Sequence, residues 1–323
     1  KARGVKVRVI IDYNKAFPKG RYHDGSVRER NPVVQALFDE FDTTVLRGVR
    51  LPGLMHNKFA VFDHKLVEYG SYNWSFTAET HHFENIKFED DPERAAFYLK
   101  YWEWMRSYSQ PLDKAEKYDW AKNGPENAPV DDDLAVDING TRLPRQVFSP
   151  SGAVEDSIVK AVQAAKTSIE IAMFSFYSVR IAQELLAAKQ RGVEVRLVLD
   201  RMQSKLMKLD GWFAYHGFDL RIISGPNPYD NVYMEKNHNK FMVVDSKLVE
   251  TGSYNFTGNA EKNSYENANF STDPVDAAFF HAFFQMLYDN GWKPMTPKAP
   301  PEGLSKPEQF FSAERFETLS AGL

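Results

Sequence analysis

The chain has 323 residues, 43% of them hydrophobic and 14% aromatic, with a formal net charge of −4. That is enough to bury a substantial core as two domains or one duplicated unit, and a net acidic balance argues against a protein that coats nucleic acid through a wholly basic surface. The absence of cysteine removes disulfides, thiolate metal sites and cysteine nucleophiles together, and no apolar run reaches the ~18 residues that would suggest a membrane span.

Taken in chain order, the stretch from Lys1 to Arg30 holds nine Lys and Arg against three Asp and Glu. This permits a local anion-attracting patch, although a solvated charged surface accounts for it equally well. "RGVKVRVIID" from Arg3 reads as a helix end at Gly4 followed by an apolar strand buried on both faces. "HNKFAVFD" from His56 comes next, then a strand ending in "GSYN" at Gly70, then Glu84-Asn85. "DPERAAFYLKYWEWMRSY" is an amphipathic helix opened by Asp91-Pro92 in the N-cap and N1 arrangement, its aromatics belonging to the core. Residues 108–146 are rich in Pro, Asp, Asn and Gly and read as a linker, with Asn139-Gly140 as a hairpin turn.

From Ser151 to Gln190 the pattern is helix, apolar strand (Ile169 to Phe176) and helix, an alternation that favours a layered α/β sheet. "RGVEVRLVLD" from Arg191 then repeats the first strand, and "HNKFMVVD" from His238 repeats the histidine segment. The stretches His56–Pro92 and His238–Pro274 align without a gap, placing Gly70 over Gly252 and Glu84 over Glu266. So many shared polar identities mark a true duplication. The second copy closes with the helix "DPVDAAFFHAFFQMLYDN", and residues 294–323 read as a Pro-rich arm and a short helix capped by Ser305 with Glu308 three residues on. The expected organisation is a first repeat over 1–107, a linker over 108–146, a second repeat over 147–293 and the arm. The first repeat lacks the helix–strand–helix block that precedes Arg191. Loss of an upstream segment is the expectation, since dropping a central strand would expose the face its neighbours bury.

On a strand, residues two apart share a face, so His56 with Lys58, and His238 with Lys240, can address one anionic group. Asp63 and Asp245 lie an odd number of residues after their histidines; they are expected on the opposite face, anchoring the turn into the next strand. Gly70 and Gly252 allow close backbone approach, while Ser71, Asn73, Ser253 and Asn255 offer hydrogen-bond donors. Glu84 and Glu266 are placed to accept the second ring N–H of a histidine and hold its tautomer. A lone H-x-K would be an ordinary strand and a lone G-S-x-N an ordinary turn. Two complete sets at one offset favour a shared catalytic site. No metal and no cofactor is called for, because no carboxylate–histidine cluster accompanies the motif and each histidine has a lysine on its face. His81-His82 occurs in the first copy only and reads as surface or rim, with metal ligation as the alternative.

H-x-K-x4-D followed by G-S-x-N, duplicated within one chain, resembles the phospholipase D superfamily from Arg3 to about Trp292. "GSYNWS", "GSYNFT", "FEN" and "YEN" are most similar to its bacterial nuclease-like branch. The resemblance implies two similar α/β domains related by a pseudo-twofold axis, each a mixed sheet flanked by helices, meeting at one phosphate site. It implies a metal-independent phosphodiesterase in which His56 is the nucleophile, forming a phosphohistidine, and His238 the acid and base. Lys58, Lys240, Asn73 and Asn255, with Ser71 and Ser253, would bind the phosphate, and Glu84 and Glu266 would orient the histidines. The partner is a phosphodiester substrate. A nucleic acid would meet Lys15, Lys19, Arg21, Arg201, Lys205 and Lys208 in a groove, with Tyr22, Trp212 or Tyr215 for stacking; a phospholipid would meet an apolar rim at "NPYDNVYMEK" or "GWFAYHGF". A noncatalytic binding protein would tolerate decay of a motif, and both are intact. Both motifs in one chain suit a monomer. The compartment stays open, and a periplasmic or secreted location is compatible with removal of an upstream signal segment.

Overall fold

In a computed structural model, the structure describes residues 3–20, 29–122, 124–125, 127–131, 135–150, 152–207, 209–227 and 234–298. The proposed helix at Ser305 therefore lies outside the described residues, as does nearly all of the C-terminal arm.

The first half contains β1 (Arg8–Asp12), α1 (Tyr13–Ala16), α2 (Pro32–Glu40), β2 (Asp42–Leu46), β3 (Phe59–Phe62) and β4 (Leu66–Gly70). It continues with α3 (Phe76–His81), β5 (His82–Phe83), β6 (Ile86–Asp90) and α4 (Pro92–Tyr108). Between the halves come α5 (Leu112–Ala115), β7 (Ala135–Ile138) and β8 (Thr141–Pro144). The second half runs β9 (Gln146–Ser149), α6 (Val154–Ala164), β10 (Ser168–Met173), α7 (Val179–Gln190), β11 (Glu194–Asp200), α8 (Arg201–Met207), α9 (Leu209–Tyr215) and β12 (Asp219–Ile223). It ends with β13 (Lys236–Asn237), β14 (Lys240–Val244), β15 (Leu248–Gly252), α10 (Gly258–Lys262), β16 (Glu266–Ser271) and α11 (Pro274–Asn290).

The second half is built on one seven-stranded mixed sheet in the order β12-β11-β10-β14-β15-β16-β9. Its strands are largely buried on both faces because both are covered. One face packs on α6 and α7 through Val154, Ile158, Ile181 and Leu185; the other packs on α11 through Ala277, Phe280, Phe284 and Leu287. The apolar run expected to Phe176 leaves the sheet after Met173, and Phe176 instead bridges to Phe256. In the first half the corresponding strands form two separate sheets, the parallel pair β1-β2 and the antiparallel β3-β4-β6. Among the described residues no strand occupies the place between β1 and β3 that β10 occupies between β11 and β14.

Asp91 and Asp273 cap α4 and α11 through their side chains, with Pro at N1 in both. Helix α4 reaches across the repeat boundary: Tyr98 and Tyr101 pack on Phe148 of β9, and buried Arg94 donates to Asn269 Oδ1 at 2.9 Å. The segment read as a linker is more structured than its composition suggests. Asn139 and Gly140 have φ of 51° and 85° and turn the hairpin β7-β8, whose Ile138 and Leu143 join the core under α6. Gln146 already belongs to the edge strand β9.

Candidate active site

The two histidine segments enter the centre of the molecule in matching ways. Asp12, at the end of β1, accepts the Met55 N–H at 3.0 Å; Asp200, at the end of β11, accepts the Asn237 N–H at 3.0 Å. Each aspartate thus fixes the backbone one residue before a histidine. Burial raises both carboxyls, Asp200 to about 6, against the pull of the backbone N–H groups they accept. Across the repeat boundary, His56 N–H donates to Tyr265 C=O at 3.1 Å and His238 N–H to Phe83 C=O at 3.0 Å. Backbone hydrogen bonds therefore join each histidine to the residue just before the opposite glutamate.

The side chains complete that exchange. His56 Nδ1 lies 2.8 Å from Glu266 Oε2, and His238 Nδ1 lies 2.8 and 3.0 Å from the two oxygens of Glu84. Each glutamate thus holds the histidine of the other repeat, through Nδ1, leaving Nε2 of each ring for chemistry. The two rings stand 6.5 Å apart, centroid to centroid, and nearly perpendicular. Two amide pairs brace the same boundary, Asn85 donating to Asn239 and Asn267 to Asn57, each at 2.8 Å. Sequence reasoning passed over Asn57, Asn239, Asp12 and Asp200, although all four recur between the repeats.

Lys58 and Lys240 each donate to the backbone carbonyl of their own motif's histidine, which leaves two ammonium protons for an anion. Burial pushes Lys58 down to about 8 and Lys240 well down, with Glu84 and Glu266 opposing both. His56 is lowered by burial, partly offset by Glu266. His238 is lowered well below its usual value by burial and then by Lys240, with Glu84 opposing. Burial would raise Glu84, but His238 and its other partners outweigh it and keep the carboxylate charged.

Ser71 and Ser253 require a correction. Expected on phosphate oxygens, both are fully buried and donate instead to the carboxylates, Ser71 to Glu84 and Ser253 to Glu266, each at 2.6 Å. They support the glutamates that hold the histidines. Gly70 and Gly252 make this possible, since a Cβ at either would sit 2.2 Å from the carbonyl oxygen of Asn85 or Asn267. Asn255 Oδ1 is buried with no partner among the described residues, and Asn73 stands at the equivalent place in the first repeat.

Asp245 does anchor a turn: its carboxylate accepts from the N–H groups of Lys166, Thr167 and Ser168, from Thr167 Oγ1 and from Asn139 Nδ2. Asp63 has the same left-handed backbone but makes no such bonds among the described residues. The rim reading of His81-His82 is overturned. His81 Nδ1 pairs with buried Glu235 at 2.7 Å, and His82 lies inside the site with its side chain 7% exposed, 3.3 Å from Glu84. One ligand atom each of His82, Glu84 and His238 lies within 4.8 Å of the others, the one group of metal-site composition among the described residues, so the expectation that no carboxylate–histidine cluster accompanies the motif is corrected.

Of the groove candidates, Lys15 and Lys19 are exposed and Arg201 is half-buried; Arg21, Tyr22, Lys208 and the Lys205 side chain lie outside the described residues. Trp212 is buried against His216 and Phe218, so it packs and does not stack on a base. "GWFAYHGF" buries Trp212, Phe213 and Phe218 and forms no apolar rim; most of "NPYDNVYMEK" lies outside the described residues. Among the described residues no helix is long and apolar enough to cross a membrane.

A duplicated α/β protein with two cross-paired histidine–glutamate sets is the class that fold and site define. The family model described as "Cardiolipin synthase, PLD-like domain" matches residues 1–106 and 158–288, so the chain belongs to the phospholipase D-like family. It is similar to "Phospholipase D" of Rickettsia prowazekii, 33% identical over 122 residues, 37% of this chain and 55% of that protein. It is also similar to mouse "Mitochondrial cardiolipin hydrolase", 30% identical over 139 residues, 41% of this chain and 57% of that protein. The chain spans about half the length of these curated relatives. Among solved structures, phosphatidylserine synthase of Haemophilus influenzae shares the fold over 98% of this chain and 81% of its own, with a TM-score of 0.65 at 15% identity. The phospholipase D family member Nuc of Salmonella typhimurium is 32% identical over 47% of this chain and 97% of its own, with a TM-score of 0.42.

Proposed function

We propose that this protein is a metal-independent phosphodiesterase that acts through a phosphohistidine, with nucleic acid as the favoured substrate. The observation that carries this reading is the pair of imidazoles 6.5 Å apart, each tied through Nδ1 to a buried carboxylate, which leaves Nε2 of both rings for one phosphate. One ring, neutral, attacks phosphorus while the other protonates the departing oxygen; the second ring then takes a proton from water, whose oxygen displaces the first. Lys58, Lys240, Asn73 and Asn255 stabilise the nonbridging oxygens, whose charge grows in the transition state. The step requires one ring neutral and the other protonated, so activity is bell-shaped in pH.

Nucleic acid is favoured because Lys15 and Lys19 are exposed after β1, which ends at the site, and because the motif context is that of the nuclease-like branch. A phospholipid is the alternative. It is supported by Trp74 and Phe76, which follow Asn73 closely and are 62% and 79% exposed. Incubation in EDTA with labelled single-stranded DNA, duplex DNA, RNA and phosphatidylcholine or cardiolipin vesicles separates the two. Nucleic-acid cleavage that vanishes in His56→Ala and His238→Ala supports the first reading; head-group release without nucleic-acid cleavage moves the assignment to lipid.

A further inference from the structure

The two halves of the site differ at the residue two positions before each glutamate. When the two copies are aligned, His82 stands where the second copy has Ser264. Ser264 makes no hydrogen bond to Glu266; its Oγ accepts the Leu54 N–H and its carbonyl accepts from Ser149. Glu266 therefore takes side-chain bonds from His56 and Ser253, whereas Glu84 takes them from His238, Ser71 and also His82. The His82 ring lies 5.4 Å from that of His238, and its Nε2 is buried without a partner among the described residues, which leaves Nδ1–H as its one hydrogen bond.

We propose, on the basis of the phosphohistidine reading above, that His82 is a positioning residue that divides the labour between the two catalytic histidines: by sharing Glu84 it weakens that carboxylate's hold on a proton at His238, so that His238 attacks as the neutral nucleophile and His56 donates the proton. A carboxylate that accepts several donors spreads its charge over all of them, and each added donor lowers its basicity toward the rest. A second asymmetry acts in the same direction. The Phe174 ring packs 4.7 Å from His238 in a segment with no counterpart among the described residues of the first repeat, and the His238 side chain is 6% exposed against 18% for His56. The other charged groups facing His238 are Lys240 of its own motif and Lys58 across the boundary, both of which disfavour a second positive charge. The stronger lowering of His238 agrees with this order. The assignment reverses the one implied by family resemblance.

In this scheme His238 Nε2 uses its lone pair to form the N–P bond. The P–O bond to the leaving group breaks, and that oxygen takes the proton of His56 Nε2. Neutral His56 then removes a proton from water, whose oxygen attacks phosphorus. The N–P bond breaks, and both rings return to their starting states.

The test is an imidazole NMR titration of the intact protein, which needs no turnover, followed by mapping of the covalent adduct after an alkaline quench. His238 titrates below His56 in the wild type, and in His82→Ala its protonation equilibrium shifts upward by about fivefold, the worth of one net hydrogen bond, while His56 stays in place. His82→Asn keeps a donor toward Glu84 and restores the wild-type value. The acid limb of kcat/KM moves with His238, and the alkaline limb does not. Equal titration of the two rings, no movement in His82→Ala, or an adduct on the His56 peptide overturns the proposal. If the titration order holds but no adduct forms on any histidine during turnover, the covalent reading fails while the tuning by His82 stands. Should His82→Ala not fold, the wild-type titration and the adduct position still decide.

Discussion

Phe88 and Phe270 occupy equivalent positions in the two repeats, opposite Glu68 and Glu250, yet Phe88 is 61% exposed and Phe270 is fully buried. The difference extends over the whole sheet face. Phe62, Ile86 and Trp74 are exposed where Val244, Ala268 and Phe256 are buried, because α6, α7 and the Phe174–Phe176 segment cover the second sheet and nothing among the described residues covers the first. The two site halves nevertheless share the same histidine–glutamate and serine–glutamate bonds. Their geometry depends on hydrogen bonds exchanged across the repeat boundary and on α4 and α11, which cover the opposite sheet faces, and much less on the layer that, among the described residues, covers the second sheet alone.

The comparison can be broken first at its symmetric part. His56→Ala and His238→Ala each lower kcat/KM by about 10³-fold or more, and a single-turnover assay that finds one of them near wild type would mean the halves do not share a site. The asymmetric part gives the next effect. Phe270→Ala destabilises by about 3–5 kcal/mol, whereas Phe88→Ala stays within about 0.5 kcal/mol; denaturant midpoints that move equally would show that the first face is covered in solution.

The turn aspartates sharpen the same contrast. Asp245→Asn costs about 2 kcal/mol through lost charge-assisted hydrogen bonds, and Asp63→Asn costs almost nothing by the same measurement. Backbone N–H groups hold the Asp245 carboxyl at about 2, below its ordinary value of 3.8, against the opposing effect of burial. Its contribution is fully present above roughly pH 4 and is lost as pH falls through about 2, so Asp245→Asn flattens the acid limb of the stability curve.

The smallest effect concerns Glu250 and Glu68. Both oxygens of Glu250 are buried without a partner among the described residues, and burial raises its carboxyl well above the ordinary value of 4.5. Burial also raises Glu68, to about 7, though a bond from Trp74 opposes this. A folded carboxyl that keeps its proton after the unfolded one has lost it makes stability fall as pH rises above about 4.5. Glu250→Met removes this slope and stabilises by about 1 kcal/mol at neutral pH. A melting temperature that drops instead would mean Glu250 has a partner in solution.

Much of this was legible in the residues. The constant offset between the two copies revealed the duplication, whereas the strand placement of the histidines did not hold: His56 and Lys58 precede β3, His238 precedes β14, and each lysine turns back to the carbonyl of its own histidine. Asp-Pro marked the starts of α4 and α11, since a helix start depends on a few neighbouring dihedrals and one cap. The roles of Ser71, Ser253 and His82 were not legible. A hydroxyl or an imidazole can serve a substrate, a carboxylate or solvent; the pairing of β4 with β6 and of β15 with β16 put Ser71 and Ser253 against Glu84 and Glu266, and the approach of β5 to β13, strands far apart in sequence, put His82 and Glu84 against His238. The sequence determined the paired part of the site, because the repeat preserved those residues together, but not His82, which only one copy carries. Tertiary structure alone decided which glutamate holds which histidine and which half of the sheet is buried, because both depend on contacts between segments that carry no local trace of one another.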